Sequence, residues 1–255
     1  MNLTEWRALT QRPLDRSRLL DILVNKINLK RPPVAVTYCD GAPPAGYEPA
    51  RVPVCSILYH AEQGRKIYVD AEHHDCLVGQ YHLGLLSAEA AGRLICDGEY
   101  LTMAQGFFTP EAARRNKQQS HSLPTGTITA IAAAPLADLP ADVPLDLLCL
   151  ITDVQRAMQI AGAASVREGT LPHGELGPSS CSSLFAAPWH TRNTVFALGE
   201  GGGRSFNHLA SSELFVVLPA HHLPYVIEVF ESFWFKPDEM RRLIFPSHAV
   251  RASAL

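Results

Sequence analysis

The chain has 255 residues, 47 % of them hydrophobic and 18 % charged, a balance that excludes a disordered segment and is ample for a buried core. A net charge of −3 gives no basis for a strongly basic nucleic-acid surface. No apolar run reaches the roughly 18 residues of a membrane helix. Glu5, Arg7 and Arg12 stand where a signal peptide would carry its apolar core, so the expectation is a cytoplasmic protein with neither a membrane nor a nucleic-acid partner.

Trp6, Leu9, Leu19, Leu20, Leu23 and Ile27 recur at three- and four-residue spacings, which predicts helix over residues 1–29, split by Pro13. Val34 to Tyr38 reads as a buried strand and the proline- and glycine-rich stretch 40–53 as a loop. Cys55 opens a short helical turn, and Lys66 to Asp70 is a second strand. A helix is expected from Ser87, with Glu89 in its first turn and Gly98 past its end. Thr109-Pro110-Glu111 is a stronger helix start: an N-cap, a proline and an acid facing the dipole. Thr125 to Ala133 is β-rich and runs into a Pro/Ala/Asp linker at 135–144.

Leu145 to Ile151 is a continuous apolar strand, and Thr152-Asp153-Val154-Gln155 fits a capping box for a helix to about Val166. Residues 169–192 read as an irregular loop holding Cys181. Thr194 to Leu198 is a strand, 199–204 a glycine turn, Glu213 to Leu218 a strand, and Pro224 begins a helix through Phe235. No tandem repeat stands out, although strand–helix units recur loosely at 145–166 and 213–235. The alternation predicts an α/β or α+β fold with a mixed sheet flanked by helices and irregular Cys- and Gly-bearing loops. It forms either a single globular domain or two lobes, 1–135 and 145–255, joined at 135–144.

Six cysteines are too few for a disulfide scaffold and, in a reducing compartment, are free thiols or metal ligands. Cys96 in a predicted helix and Cys149 in an apolar strand are most simply core residues, and Cys39 leans the same way. Cys55, Cys76 and Cys181 sit in turn-rich or strand-flanking segments. Cys76 closes Asp70-Ala-Glu-His-His-Asp-Cys76, where carboxylates, imidazoles and a thiol offer metal ligands, or simply an exposed polar loop. Cys181 lies in a Gly/Ser turn whose N–H groups suit a sulfur ligand or a nucleophile. No CxxC occurs.

Leu198-Gly-Glu-Gly-Gly-Gly-Arg204 is not a GxGxxG phosphate loop, and a surface turn is its plainest reading. There Glu200 suits a metal ligand or an acid/base group, and Arg204 an anion. The His221-His222 pair and His248 read as exposed loop residues. Phe230, Phe233, Trp234 and Phe235 read as core or as a homo-oligomer contact. Without GxSxG, and with no Cys–His–Asn constellation placed by spacing, a serine or cysteine hydrolase reading is weak.

Several of these pieces recur in a known order: Arg31-Pro-Pro-Val-Ala-Val-Thr37, Val52-Pro-Val-Cys55, Ala61-Glu-Gln-Gly64, Val69-Asp70, Cys76-Leu-Val-Gly79, Leu83-Gly-Leu85, Gly199-x-x-Gly-x-Arg204 and Glu213-Leu-Phe-Val-Val-Leu-Pro219. Over about residues 19–235 the chain resembles the prokaryotic family called domain of unknown function 169. The resemblance implies cysteines at Cys55, Cys76 and Cys181 and a fourth in the glycine turn, where this chain has Glu200 instead.

Together, the thiols and the resemblance lead us to expect a 4Fe–4S cluster on Cys55, Cys76 and Cys181, with Glu200 as fourth ligand or proton donor. Arg204 would hold an anionic group of a small-molecule substrate, and His73, His74 or His82 would tune the cluster or shuttle protons. Three thiolates and a carboxylate leave one iron open, which suits a desulfidase, lyase or reductase. The alternatives are a non-catalytic metal, cluster or ligand carrier, a zinc site, or a cluster lost with the fourth cysteine.

Overall fold

A computed structural model describes residues 1–86, 89, 107–166, 169–177 and 179–232. The helix expected from Ser87, with Cys96 and Gly98, lies outside these residues apart from Glu89, as do Phe233, Trp234, Phe235 and His248. The chain folds as an α/β protein on one mixed eight-stranded sheet of order β2-β3-β4-β1-β5-β8-β7-β6. The strands are β1 (Val34–Cys39), β2 (Glu48–Pro49), β3 (Ile67–Asp70), β4 (Ala130–Pro135), β5 (Leu147–Asp153), β6 (His173–Glu175), β7 (Val195–Ala197) and β8 (Glu213–Pro219). Pairing is antiparallel except at the two outer pairs, β2 with β3 and β6 with β7.

Central strands β1 and β5 are apolar on both faces because both faces are covered. Along β5, Leu147, Cys149 and Ile151 join one buried cluster while Leu148 and Leu150 join another, the two-residue alternation of a strand. The second cluster lies under α2 (Arg16–Asp21), α6 (Val154–Val166) and α9 (Leu223–Ser232) and is wholly aliphatic but for Phe230. The first lies under α1 (Leu3–Thr10), α3 (Ile57–Glu62) and α7 (Ala187–Thr191), and it contains Cys55 and Cys181. Trp6 stacks on Trp189 with centroids 5.2 Å apart and donates Nε1–H to its carbonyl at 3.2 Å, pinning α1 to the segment after Cys181.

Helix starts follow local chemistry. Thr109 caps α5 (Pro110–Gln119), accepting from Ala112 N at 3.1 Å. The cap of α6 is Asp153, which accepts from Arg156 N at 3.0 Å, rather than the Thr152 box expected. The segment 135–144 is a packed connection, not an open linker, because Leu136, Leu139 and Val143 are buried. Residues 169–192 are more ordered than an irregular loop: β6 is followed by a π-helical turn (Ser182–Ala186) and α7, whose burial of Leu184, Phe185 and Trp189 outweighs weak local propensity. The glycine turn is a short helix, α8 (Gly201–Phe206). Among the described residues no helix is long and apolar enough to cross a membrane.

The sheet contains an internal two-fold repeat. Strands β1–β4 lie in the order 2-3-4-1 and β5–β8 in the order 6-7-8-5, with the same pairing sense at each step. Registers agree residue by residue. Val34 pairs with Pro135 as Leu147 pairs with Pro219, Ile67 with Ala133 as Val195 with Val217, and Glu48 with Ile67 as His173 with Val195. At the seam, Val34 faces Cys149 and Val36 faces Leu147, the reciprocal pairing of a two-fold axis. Each repeat ends in Pro-x-x-x-Leu-Pro, at 135–140 and 219–224, around a 3₁₀ turn. The expectation of no tandem repeat is therefore corrected: the halves share pairing and a few turn residues, while their strand side chains differ.

Candidate functional site

The repeat places the sequence-predicted residues in two equivalent pairs. Between the second and third strands of each half, a helical turn carries one cysteine, Cys55 in the first and Cys181 in the second. After the third strand, one residue caps a short helix: Cys76 for α4 (Leu77–His82) and Glu200 for α8. Cys76 Sγ accepts from Gly79 N at 3.4 Å, and Glu200 Oε1 accepts from Gly203 N at 2.9 Å. The two glycines do the same work. A Cβ on Gly79 would lie 2.6 Å from Val54 Cγ2, and one on Gly203 would lie 2.8 Å from Ser180 Cβ. Val54 and Ser180 are the residues just before Cys55 and Cys181, so each glycine lets its capped helix close on its cysteine turn.

The four groups converge across the axis. Cys55, Cys76 and Glu200 all lie near enough to Cys181 to act on its thiol electrostatically. A Cβ on Gly79 would also come within 3.1 Å of Cys181 Sγ. The neighbouring Cys55 thiol, together with burial, holds the Cys181 thiol well above its usual range. Burial also raises Cys76, against the pull of the Gly79 N–H. Both are neutral thiols at pH 7 unless a cation favours the thiolate. Among the described residues, no three of these four ligand atoms lie within 4.8 Å of one another. A single tetrahedral zinc holds its sulfurs about 3.8 Å apart. As it stands, the donor set is more open than the ligand shell of one zinc.

The supports of each donor are local. Asp70 Oδ1 accepts from Glu72 N at 2.9 Å and His73 N at 2.7 Å, folding the loop that delivers Cys76. Asp75 N donates to Val52 O at 3.2 Å and ties that loop to the Cys55 turn. Ser180 Oγ donates to Glu200 Oε2, linking the residue before Cys181 to the carboxylate. Asn207, fully buried and absent from the sequence-level candidates, donates Nδ2–H to Cys55 O at 3.2 Å and Gly203 O at 2.8 Å and accepts from Tyr59 N at 3.1 Å. It clamps the Cys55 turn to α8, and nothing in its sequence neighbourhood signals this.

Other expected participants are engaged elsewhere. Arg204 donates to Leu198 O at 2.7 Å, Glu213 O at 3.0 Å and Ala210 O at 2.6 Å. Three carbonyls take donors that the sequence reading reserved for an anion, so we revise its role to bracing the turn. His73 is paired with Asp70 at 3.0 Å. His82 is buried, with Nδ1 on His121 O at 2.7 Å and Nε2 2.6 Å from Lys117 Nζ. Burial and that ammonium hold it neutral, with its proton on Nδ1. Cys149 and Cys39 are core thiols raised by burial, Cys39 to about 12. His221 and His222 are buried, not exposed as expected.

No curated protein and no solved structure matches the chain. The family described as DUF169, uncharacterised ArCR, matches residues 22–229, a span that takes in all eight strands and all four converging groups. The chain belongs to the DUF169 family.

Proposed function

We propose that this chain is an iron–sulfur protein of the 4Fe–4S type in which Cys55, Cys76 and Cys181 are the thiolate ligands and Glu200 holds the fourth position. The observation that carries the reading is the equivalence of the two donor pairs: Glu200 caps its helix where Cys76 caps the matching one. Such a cluster, with one iron held by an exchangeable carboxylate, supplies Lewis acidity toward a sulfur or oxygen leaving group. That favours desulfidase, lyase or reductase chemistry on a small molecule. Glu200 serves as ligand or proton donor, its carboxylate steered by Ser180 and the Gly203 N–H. Five unpaired cysteines among the described residues fit a reducing, cytoplasmic setting. Burial of Cys55 and Cys181, each 4 % exposed, also favours a second reading, a carrier that holds a cluster without turnover.

The test is an absorption spectrum with iron and acid-labile sulfide counts on anaerobically purified protein. The reading expects a brown protein with about four irons, bleached in Cys55→Ala, Cys76→Ala and Cys181→Ala. Glu200→Cys should keep the iron, slow its loss to chelators and abolish turnover, because a fourth thiolate closes the open position. A colourless protein whose iron count is unaffected by these changes would sink the proposal.

A further inference from the structure

A second cluster of metal-binding side chains lies beside the thiols but apart from them. His173 and Glu175 occupy alternate positions of β6 and so face the same way. His121 follows α5, and its carbonyl is fixed by His82 Nδ1 at 2.7 Å and Ser182 Oγ at 2.9 Å. Both imidazoles aim Nε2 at one carboxylate oxygen: Glu175 Oε1 lies 2.7 Å from His173 and 3.3 Å from His121. Glu175 Oε2 in turn accepts from Ser183 Oγ at 3.5 Å.

Their three ligand atoms all lie within 4.8 Å of one another, which no three of the Cys55, Cys76, Cys181 and Glu200 atoms do. Of the two separations, 3.3 Å falls within the edges, about 3.0–3.4 Å, of a polyhedron with metal–ligand bonds near 2.1 Å, and 2.7 Å lies just below them. Glu175 is 12 % exposed, His121 28 % and His173 38 %, so the cluster is partly shielded yet open to a metal from solvent. The matching positions of the first repeat are Glu48 and Ala50, so this set is not a product of the internal symmetry.

We propose that His121, His173 and Glu175 bind one divalent first-row transition metal. Two imidazoles and one carboxylate leave positions open, the pattern of reactive rather than structural zinc and ferrous sites. Without metal, protons on the imidazoles fill the same contacts, so binding displaces them. Ser182 and Ser183, which touch His121 and Glu175, directly follow Cys181, so an ion here would brace the thiol segment without sharing its ligands.

The test is a Co²⁺ titration of the chelator-treated full chain, read by visible absorption. The expected result is one Co²⁺ per chain with ligand-field bands and no thiolate charge-transfer band, retained in Cys181→Ser. Affinity should fall about tenfold or more in His121→Ala, Glu175→Gln and His173→Gln. His173 lies on an edge strand, so that variant is the least able to disturb folding, and circular dichroism checks each. Absence of binding below millimolar Co²⁺, binding unchanged in all three variants, or a charge-transfer band abolished in Cys181→Ser would each overturn the site. Iron and sulfide counts of the anaerobic protein should not change in His173→Gln, so failure here and failure of the cluster proposal are told apart.

Discussion

The two halves of the sheet pair their strands in the same order and register, yet they are built out at different connections. Between β1 and β2 the first half has only the loop at 40–47, whereas between β5 and β6 the second inserts α6. Between β3 and β4 the first half carries α4, α5 and the segment joining them, whereas the second passes from β7 to β8 through α8 alone. What stays constant is the cysteine turn, the capped short helix and the glycine that joins them. The shared geometry is that of the site, and the differences lie where each half builds its own surroundings.

The largest test of that contrast is Ile160→Ala in the inserted helix α6. Ile160 is fully buried in the aliphatic cluster, so its truncation should cost about 2–5 kcal/mol in denaturant unfolding. It should leave the iron content of anaerobic protein unchanged, because α6 lies on the face away from the thiols. An equal loss of iron would mean that the two faces are not independent.

Next come the matched glycines. Gly79→Ala and Gly203→Ala each drive a methyl into the residue preceding a site cysteine. Both should destabilise toward the upper end of about 1–3 kcal/mol and both should reduce metal content. If only one does, the equivalence of the halves ends at the backbone.

A smaller effect separates the two 3₁₀ turns. His222 stands where the first half has Asp138, and burial lowers its pKa to about 4, with His221 adding to the effect. The unfolded chain protonates this histidine near pH 6.5, so between the two values the unfolded state binds more protons. The stabilisation is complete above pH 6.5 and drains away as pH falls toward 4. At pH 5 the loss is about 2 kcal/mol. His222→Gln should therefore flatten the pH dependence of unfolding between pH 7 and 5, and an unchanged slope would refute the assignment.

Much of the fold could be read from residues alone. Continuous apolar runs marked β1, β5 and β8, and Thr109-Pro110 marked the start of α5 to the residue. The π-helical turn and α7 could not be, because their Ser- and Pro-bearing sequence is weakly helical and the Trp6–Trp189 stack that holds them is distant in the chain. Nor could α8, where three successive glycines oppose a helix and the cap, the Ser180 contact and the Asn207 clamp sustain it. Cys55, Cys76, Cys181 and Glu200 were legible as chemistry and through family resemblance; their pairing was not. The signals that could have shown it are the x-x-Gly after Cys76 and after Glu200 and the two Pro-x-x-x-Leu-Pro endings. Asn207 left no signal, because a buried amide declares itself only through its partners.

Two identical half-chains assembled about the same axis would have to offer the same cap residue twice, either two thiols or two carboxylates. Joining the halves in one polypeptide lifts that restriction, since a substitution on one side is no longer copied to the other. Cys76 and Glu200 are the visible result: one position on each side of the axis, alike in backbone and unlike in chemistry.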